Sequence, residues 1–130
     1  MALISNGDQV LTKRVYNSDE TVLWEGNATS AMLSESVSNF EYIKVSFNNG
    51  QVYIVNSDSA IISLHYMSSI SSDGLYHTQD VNYTISGTSI AWAFAFHTWR
   101  KSGTINTEAR SEALSPAIKK VIGINRKEVN

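Results

Sequence analysis

Apolar and polar residues alternate along most of this chain with a period of two, not 3.6, and that pattern predicts strands. Tyr42-Ile43-Lys44-Val45-Ser46-Phe47 places Ile43, Val45 and Phe47 on one face. Asn48-Asn49-Gly50 follows, and Gln51-Val52-Tyr53-Ile54-Val55 resumes the alternation. Because Asn-Gly accepts positive φ at both turn positions, the stretch predicts a tight hairpin. Between Ala60 and Met67, Ile62, Leu64 and Tyr66 share a face. Val81 to Ile85 and Ser89 to Arg100 flank Ser86-Gly87-Thr88, a second hairpin. Thr21 to Trp24 predicts a short strand closed by Gly26, and Gln9 to Val15 a weak first strand or arm. Ser68 to Gly74 predicts a loop. Within the polar stretch from Gly103 to Pro116, Thr107 to Leu114 admits one or two helical turns or an ordered loop. Ala117 to Asn125 predicts a last strand near the C-terminus, with Ile122 and Ile124 in the core.

The strand Ile90 to Trp99 has a large and a small side. Strict alternation puts Ile90, Trp92, Phe94 and Phe96 on the face that fills the core. It puts Ala91, Ala93 and Ala95 on the other, where a second layer or a neighbouring subunit approaches closely; these three are the candidate oligomer contact. Together the elements predict an all-β, antiparallel β-sandwich (jelly-roll-like) of about seven or eight strands with little helix. Residues 1–14 form an N-terminal arm or first edge strand, and residues 15–127 a single β-sandwich domain.

Composition narrows the function classes. The chain has 130 residues and no Cys, so disulfides and thiolate metal sites are excluded. Lys and Arg number 10 against 12 Asp and Glu, for a net charge of -2, so nothing favours bulk nucleic-acid binding. Charged residues are only 17%, and neutral Ser, Thr and Asn take their place, a surface that suits virion and extracellular β-proteins. No stretch approaches the roughly 18 apolar residues of a membrane helix. Met1 to Asp8 lacks the basic start and apolar run of a signal peptide, which implies synthesis in the cytoplasm without export.

The motifs of enzyme chemistry are missing. His65, His77 and His97 show no metal-ligand spacing, there is no G-x-S-x-G elbow, and the carboxylates scatter over turns and strand ends. The sequence therefore predicts no catalytic residue, no metal and no cofactor. Aromatic residues at strand ends carry the one binding signal. Tyr66, Tyr76, His77, Trp99 and Arg100 are candidate ligand contacts, because aromatic faces stack on sugar rings while His and Arg fix hydroxyls.

Three stretches point to a family. Val22-Leu23-Trp24-Glu25-Gly26 reads as a Leu-aromatic-Gly strand. Leu33-Ser34-Glu35-Ser36-Val37-Ser38-Asn39-Phe40-Glu41-Tyr42-Ile43 reads as a Leu-Ser-acid-Ser turn leading into an aromatic-Tyr-Ile strand. Lys120-Val121-Ile122-Gly123-Ile124 reads as a Lys-Val-Ile-Gly-Ile final strand. In this order the chain resembles the small all-β modules of tailed-phage tail and receptor-binding proteins, over roughly Val15 to Lys127. It departs from them at Ser30-Ala31-Met32, where relatives often have a Gly-Thr-Ile/Val-Thr strand. The resemblance transfers no active site. It implies a non-enzymatic virion component at the tail tip, fibre or baseplate, for host-surface recognition or tail assembly. Its implied partners are other phage tail proteins, a host-surface glycan, and further copies of itself, with a trimer favoured; nucleic acid and membrane insertion are not expected. The alternative is a free-standing carbohydrate-binding, lectin-like sandwich.

Overall fold

The computed structural model describes residues 19–70, 76–101 and 103–128. The N-terminal arm, with the weak strand at Gln9 to Val15, lies outside the described residues. Nine strands are described: β1 (Glu20–Ala28), β2 (Ser30–Met32), β3 (Phe40–Phe47), β4 (Val52–Asn56), β5 (Ile61–Ile70), β6 (Tyr76–Ser86), β7 (Ser89–Lys101), β8 (Thr104–Arg110) and β9 (Ile118–Arg126). Two 3-10 turns, Val37–Asn39 and Glu112–Leu114, complete the elements. One antiparallel sheet has the order β1-β9-β3-β4; the other runs β2-β7-β6-β5, with β8 also pairing β7. The stretch between Thr107 and Leu114 thus divides into strand and a single 3-10 turn. Of the loop expected from Ser68 to Gly74, the first three residues are strand, because β5 continues to Ile70, and the rest lies outside the described residues.

Both predicted hairpins form. Gly50 at φ 90° and Gly87 at φ 55° take the left-handed turn positions. Between the sheets, Leu23, Ile43, Val45, Phe47, Ile118 and Val121 meet Ile62, Leu64, Val81, Tyr83, Ile85 and Ile90. The Phe47 and Tyr83 rings touch across the interface at 5.2 Å, and the Tyr83 hydroxyl donates to the Pro116 carbonyl. Burial pushes the Tyr83 hydroxyl pKa well above its usual range, so it stays a donor.

β7 overturns the strict alternation. Its pairing with β6 runs Ile85 to Ile90 and Tyr83 to Trp92, and then jumps to Asn82 with Phe94 and Val81 with Ala95. Ala93 is an extra residue, a β-bulge, and beyond it every side chain changes face. Ala95 is therefore in the core at 2% exposure, while Phe94 and Phe96 lie outside at 45% and 39%. Ala91, Ala93 and Ala95 do not share a face, and Ala95 is closed to any neighbouring subunit.

β9 lies between β1 and β3, so the last strand is built into the middle of its sheet. Ile122 and Ile124 are buried as expected, each at 8% exposure, but they stand outside the cluster between the two sheets. Val121 pairs with Val45 and Gly123 with Ile43, both core positions on β3, which turns Ile122 and Ile124 to the outer face. Gly123 has a separate role. A methyl group there would stand 2.6 Å from the ring of the fully buried Phe40. The Arg126 guanidinium lies 4.7 Å from the same ring and holds Glu35 through two hydrogen bonds of 2.6 and 3.0 Å. Asn39 adds a third at 2.9 Å. Arg126 and then Asn39 hold the Glu35 carboxyl down at about 2, below its ordinary 4.5.

Two expectations follow. Gly123→Ala should cost about 1–3 kcal/mol in urea melts, with much of the loss recovered when Phe40→Leu makes room; an unchanged midpoint would show that Phe40 moves freely. A depressed carboxyl contributes stability above its unfolded value and loses it as the pH falls through the folded one. For Glu35 that window runs from pH 4.5 down to about 2. Glu35→Gln should lower stability at neutral pH and flatten the acid limb across this window in thermal melts; superimposable acid limbs would deny the pair its role.

Candidate functional site

Inside the sandwich, cross-strand rows of the second sheet change from apolar to polar toward one end. Leu64, Val81, Ala95 and Arg110 form one row. Tyr66, Gln79, His97 and Glu108 form the next, followed by His77, Trp99 and Asn106. The bulge at Ala93 creates this arrangement, since without it His97 and Trp99 would face outward. A second bulge, at Ser68, lets its hydroxyl donate to the His77 carbonyl at 3.1 Å and accept from Gln79 Nε2 at 3.4 Å. Gln79 is itself buried.

The centre is a cluster of three rings. His97 stacks on His77 with centroids 5.0 Å apart and on Trp99 at 4.8 Å. His97 Nε2 and His77 Nδ1 are 2.8 Å apart, and His97 Nδ1 is 3.1 Å from Glu108 Oε1. The His97 hydrogen bond keeps the Glu108 carboxyl below its usual range, assisted by Arg110. An ionised carboxylate can only accept, so His97 Nδ1 carries the proton. When both imidazoles are neutral, His97 Nε2 accepts, His77 donates from Nδ1, and His77 Nε2 is left as an acceptor with no partner among the described residues. On the other flank the Arg110 Nε is buried without a hydrogen-bond partner among the described residues. Burial raises the Tyr66 hydroxyl pKa, so it too remains a donor.

This end of the sheet combines flat rings with a fixed acceptor and several fixed donors. Such a surface suits a ligand with apolar C–H faces and many hydroxyls. It has no metal-binding geometry: among the described residues no group of three His, Asp or Glu is placed to hold an ion.

Of the five sequence candidates, the sheet brings Tyr66, His77 and Trp99 together here. Tyr76 and Arg100 alternate with His77 and Trp99 and so lie on the opposite face of the same sheet. His97, Gln79, Glu108 and Arg110 belong to the cluster but escaped the sequence reading. The available signal was the i, i+2 spacing of His97 and Trp99, which shares a face on any regular strand. His65 pairs with Asp80 on the outer face instead.

A concavity of about 580 Å³ lies elsewhere, between the β1–β2 corner, Asn48 and the 3-10 turn before β9. Four of its polar side chains, Thr29, Asn48, Glu112 and Ser115, hold loops. Thr29 donates to Glu112, Asn48 accepts from the Ala117 amide at 3.1 Å, and Ser115 accepts from the Trp92 indole at 2.9 Å.

No family model, no curated protein and no solved structure matches this chain.

The hydrogen-bond chain makes a direct prediction. Two-bond proton–nitrogen spectra of the imidazoles above neutral pH should show His77 and His97 both protonated at Nδ1. Glu108→Ala should release His97 from that tautomer. An Nε2-protonated His97 in the unaltered protein would contradict the assignment.

Proposed function

We propose that the chain is a non-enzymatic component of the tail of a tailed phage or prophage, at the tail tip, baseplate or fibre. There it recognises a host surface or joins such an element to the tail, together with other tail proteins and further copies of itself, most simply as a trimer. The observation that carries this reading is where the three family-like stretches fall. Val22 to Gly26 is in β1, Lys120 to Ile124 in β9, and Leu33 to Ile43 runs from just after β2 through the 3-10 turn into β3. These strands are neighbours in the order β1-β9-β3, and Arg126 ties the β9 end to Glu35 and Phe40 of the middle stretch. The residues behind the resemblance are thus one mechanical unit, not three separate strand patterns. That unit leaves the ring cluster on the other sheet for recognition of a host-surface glycan.

The rival reading, a lectin-like domain with no virion, draws its support from the ring cluster alone. Electron microscopy of virions labelled with antibody against this chain separates the two. Decoration of tails supports the proposal, and unlabelled virions from a strain that expresses the chain overturn it. A glycan array tests the recognition step. Binding should fall at least tenfold in both His77→Ala and Trp99→Ala while thermal unfolding stays cooperative; equal binding by both variants would remove the cluster from the function.

A further inference from the structure

The bulge that brings His97 and Trp99 inside has an opposite effect on the other side of β7. It turns Phe94 and Phe96 to the outer face of the second sheet, where their rings pack against each other at 5.7 Å. Alternation on the neighbouring strands brings Ile61, Met67, Tyr76 and Ile105 to the same face, and all six side chains are exposed. At the roughly 150–250 Å² carried by a large aromatic, six such side chains expose on the order of 600 Å². That is at the upper end of what a monomer leaves open and close to the ~800 Å² per partner of a standard specific interface.

We propose that this face, through Phe94 and Phe96, is where a second copy of the chain packs in the homo-oligomer. The charge pattern favours a copy over a different partner. The acid in the middle of the face, Asp80, is matched within the chain by His65. Around it stand Asn82, Thr78, Thr98, Thr107 and Ala109, all neutral. Only Arg100, toward one end, adds a charge. The face therefore meets its own copy without repulsion and offers little for an oppositely charged partner to read. The outer face of the first sheet is a poorer interface. It carries Val22, Tyr42, Val52 and Ile54, but they share it with Lys44 and with the Glu25–Lys120 ion pair. Aromatic residues concentrate at subunit contacts, and among the described residues the second sheet's outer face exposes three, Tyr76, Phe94 and Phe96, against Tyr42 alone on the first. The inference rests on the oligomeric part of the reading above and does not depend on a phage origin or on glycan binding.

The test is sedimentation equilibrium of the full chain at micromolar concentration. The unaltered protein is expected as an oligomer. The double variant Phe94→Ser, Phe96→Ser should shift at least tenfold toward monomer while unfolding cooperatively. Val52→Ser, Ile54→Ser, on the outer face of the first sheet, should leave the mass unchanged. A second measurement covers a double variant that fails to fold. The chain has no Cys, so Thr78→Cys places a single thiol within the face. It should be protected from a maleimide in the oligomer and react freely on dilution to monomer. A monomeric unaltered protein overturns the proposal. So does an oligomer indifferent to the Phe substitutions, one that dissociates in the first-sheet variant, or a Thr78→Cys thiol fully reactive at oligomer concentration. None of these outcomes bears on tail labelling, so the two readings fail separately.

Discussion

Phe40 must lie flat against backbone, and the first sheet is arranged around that requirement. Its ring is fully buried and occupies the space that any side chain at position 123 would need. A glycine in the central strand of a sheet ordinarily weakens it, through lost packing and greater unfolded-state entropy. Here the loss is offset because the ring closes the core over β9. Arg126 covers the edge of the arrangement and engages Glu35, so the connection from β2 to β3 is held to the last strand by charge as well as by packing. Asn125, at φ 56°, turns the chain just before Arg126, a backbone position that Asn tolerates better than most residues. Glycine, asparagine and arginine within four positions thus act together, and the Leu33 to Phe40 connection depends on all of them.

The second sheet depends on a single inserted residue. Ala93 resets the alternation of β7, and the ring cluster and the exposed Phe pair are opposite consequences of that shift. Inside, it carries the core past Ala95 into the polar rows of His97 and Trp99. Outside, it leaves Phe94 and Phe96 in solvent. The two surfaces are therefore coupled through one backbone irregularity. Any change that removed the bulge would exchange them, placing the Phe rings in the core and the imidazole–indole cluster on the outer face.

The ring cluster on the inner side of the second sheet is held in one orientation. Every nitrogen of His97 is engaged, one by Glu108 and one by His77. The stack with Trp99 fixes the plane of the ring. His77 is held by a serine from one neighbouring strand and by His97 from the other. Rigid placement of this kind lowers the entropy lost when a ligand binds.

Local pattern by itself determined the antiparallel strands, both Gly hairpins and the placing of β9 as a built-in strand. It also determined the inward faces of β3 and β5, where Ile43, Val45 and Phe47 and Ile62, Leu64 and Tyr66 lie as alternation requires. Each of these depends on side-chain alternation or on turn residues adjacent in sequence. Tertiary structure alone decided the rest. A bulge can be made by any small residue, so nothing within Ile90 to Trp99 marks Ala93 as the inserted one; only pairing with β6 does. The inward face of β9 was set in the same way. Ile122 and Ile124 are buried as the pattern requires, yet it is Gly123 that faces the other sheet, because Phe40 from another strand needs its space. The candidate site followed suit. Tyr66, His77 and Trp99 were legible as strand-end aromatics, but Gln79, His97, Glu108 and Arg110 joined them only when four strands aligned their rows, a register that residues far apart in the chain settle together.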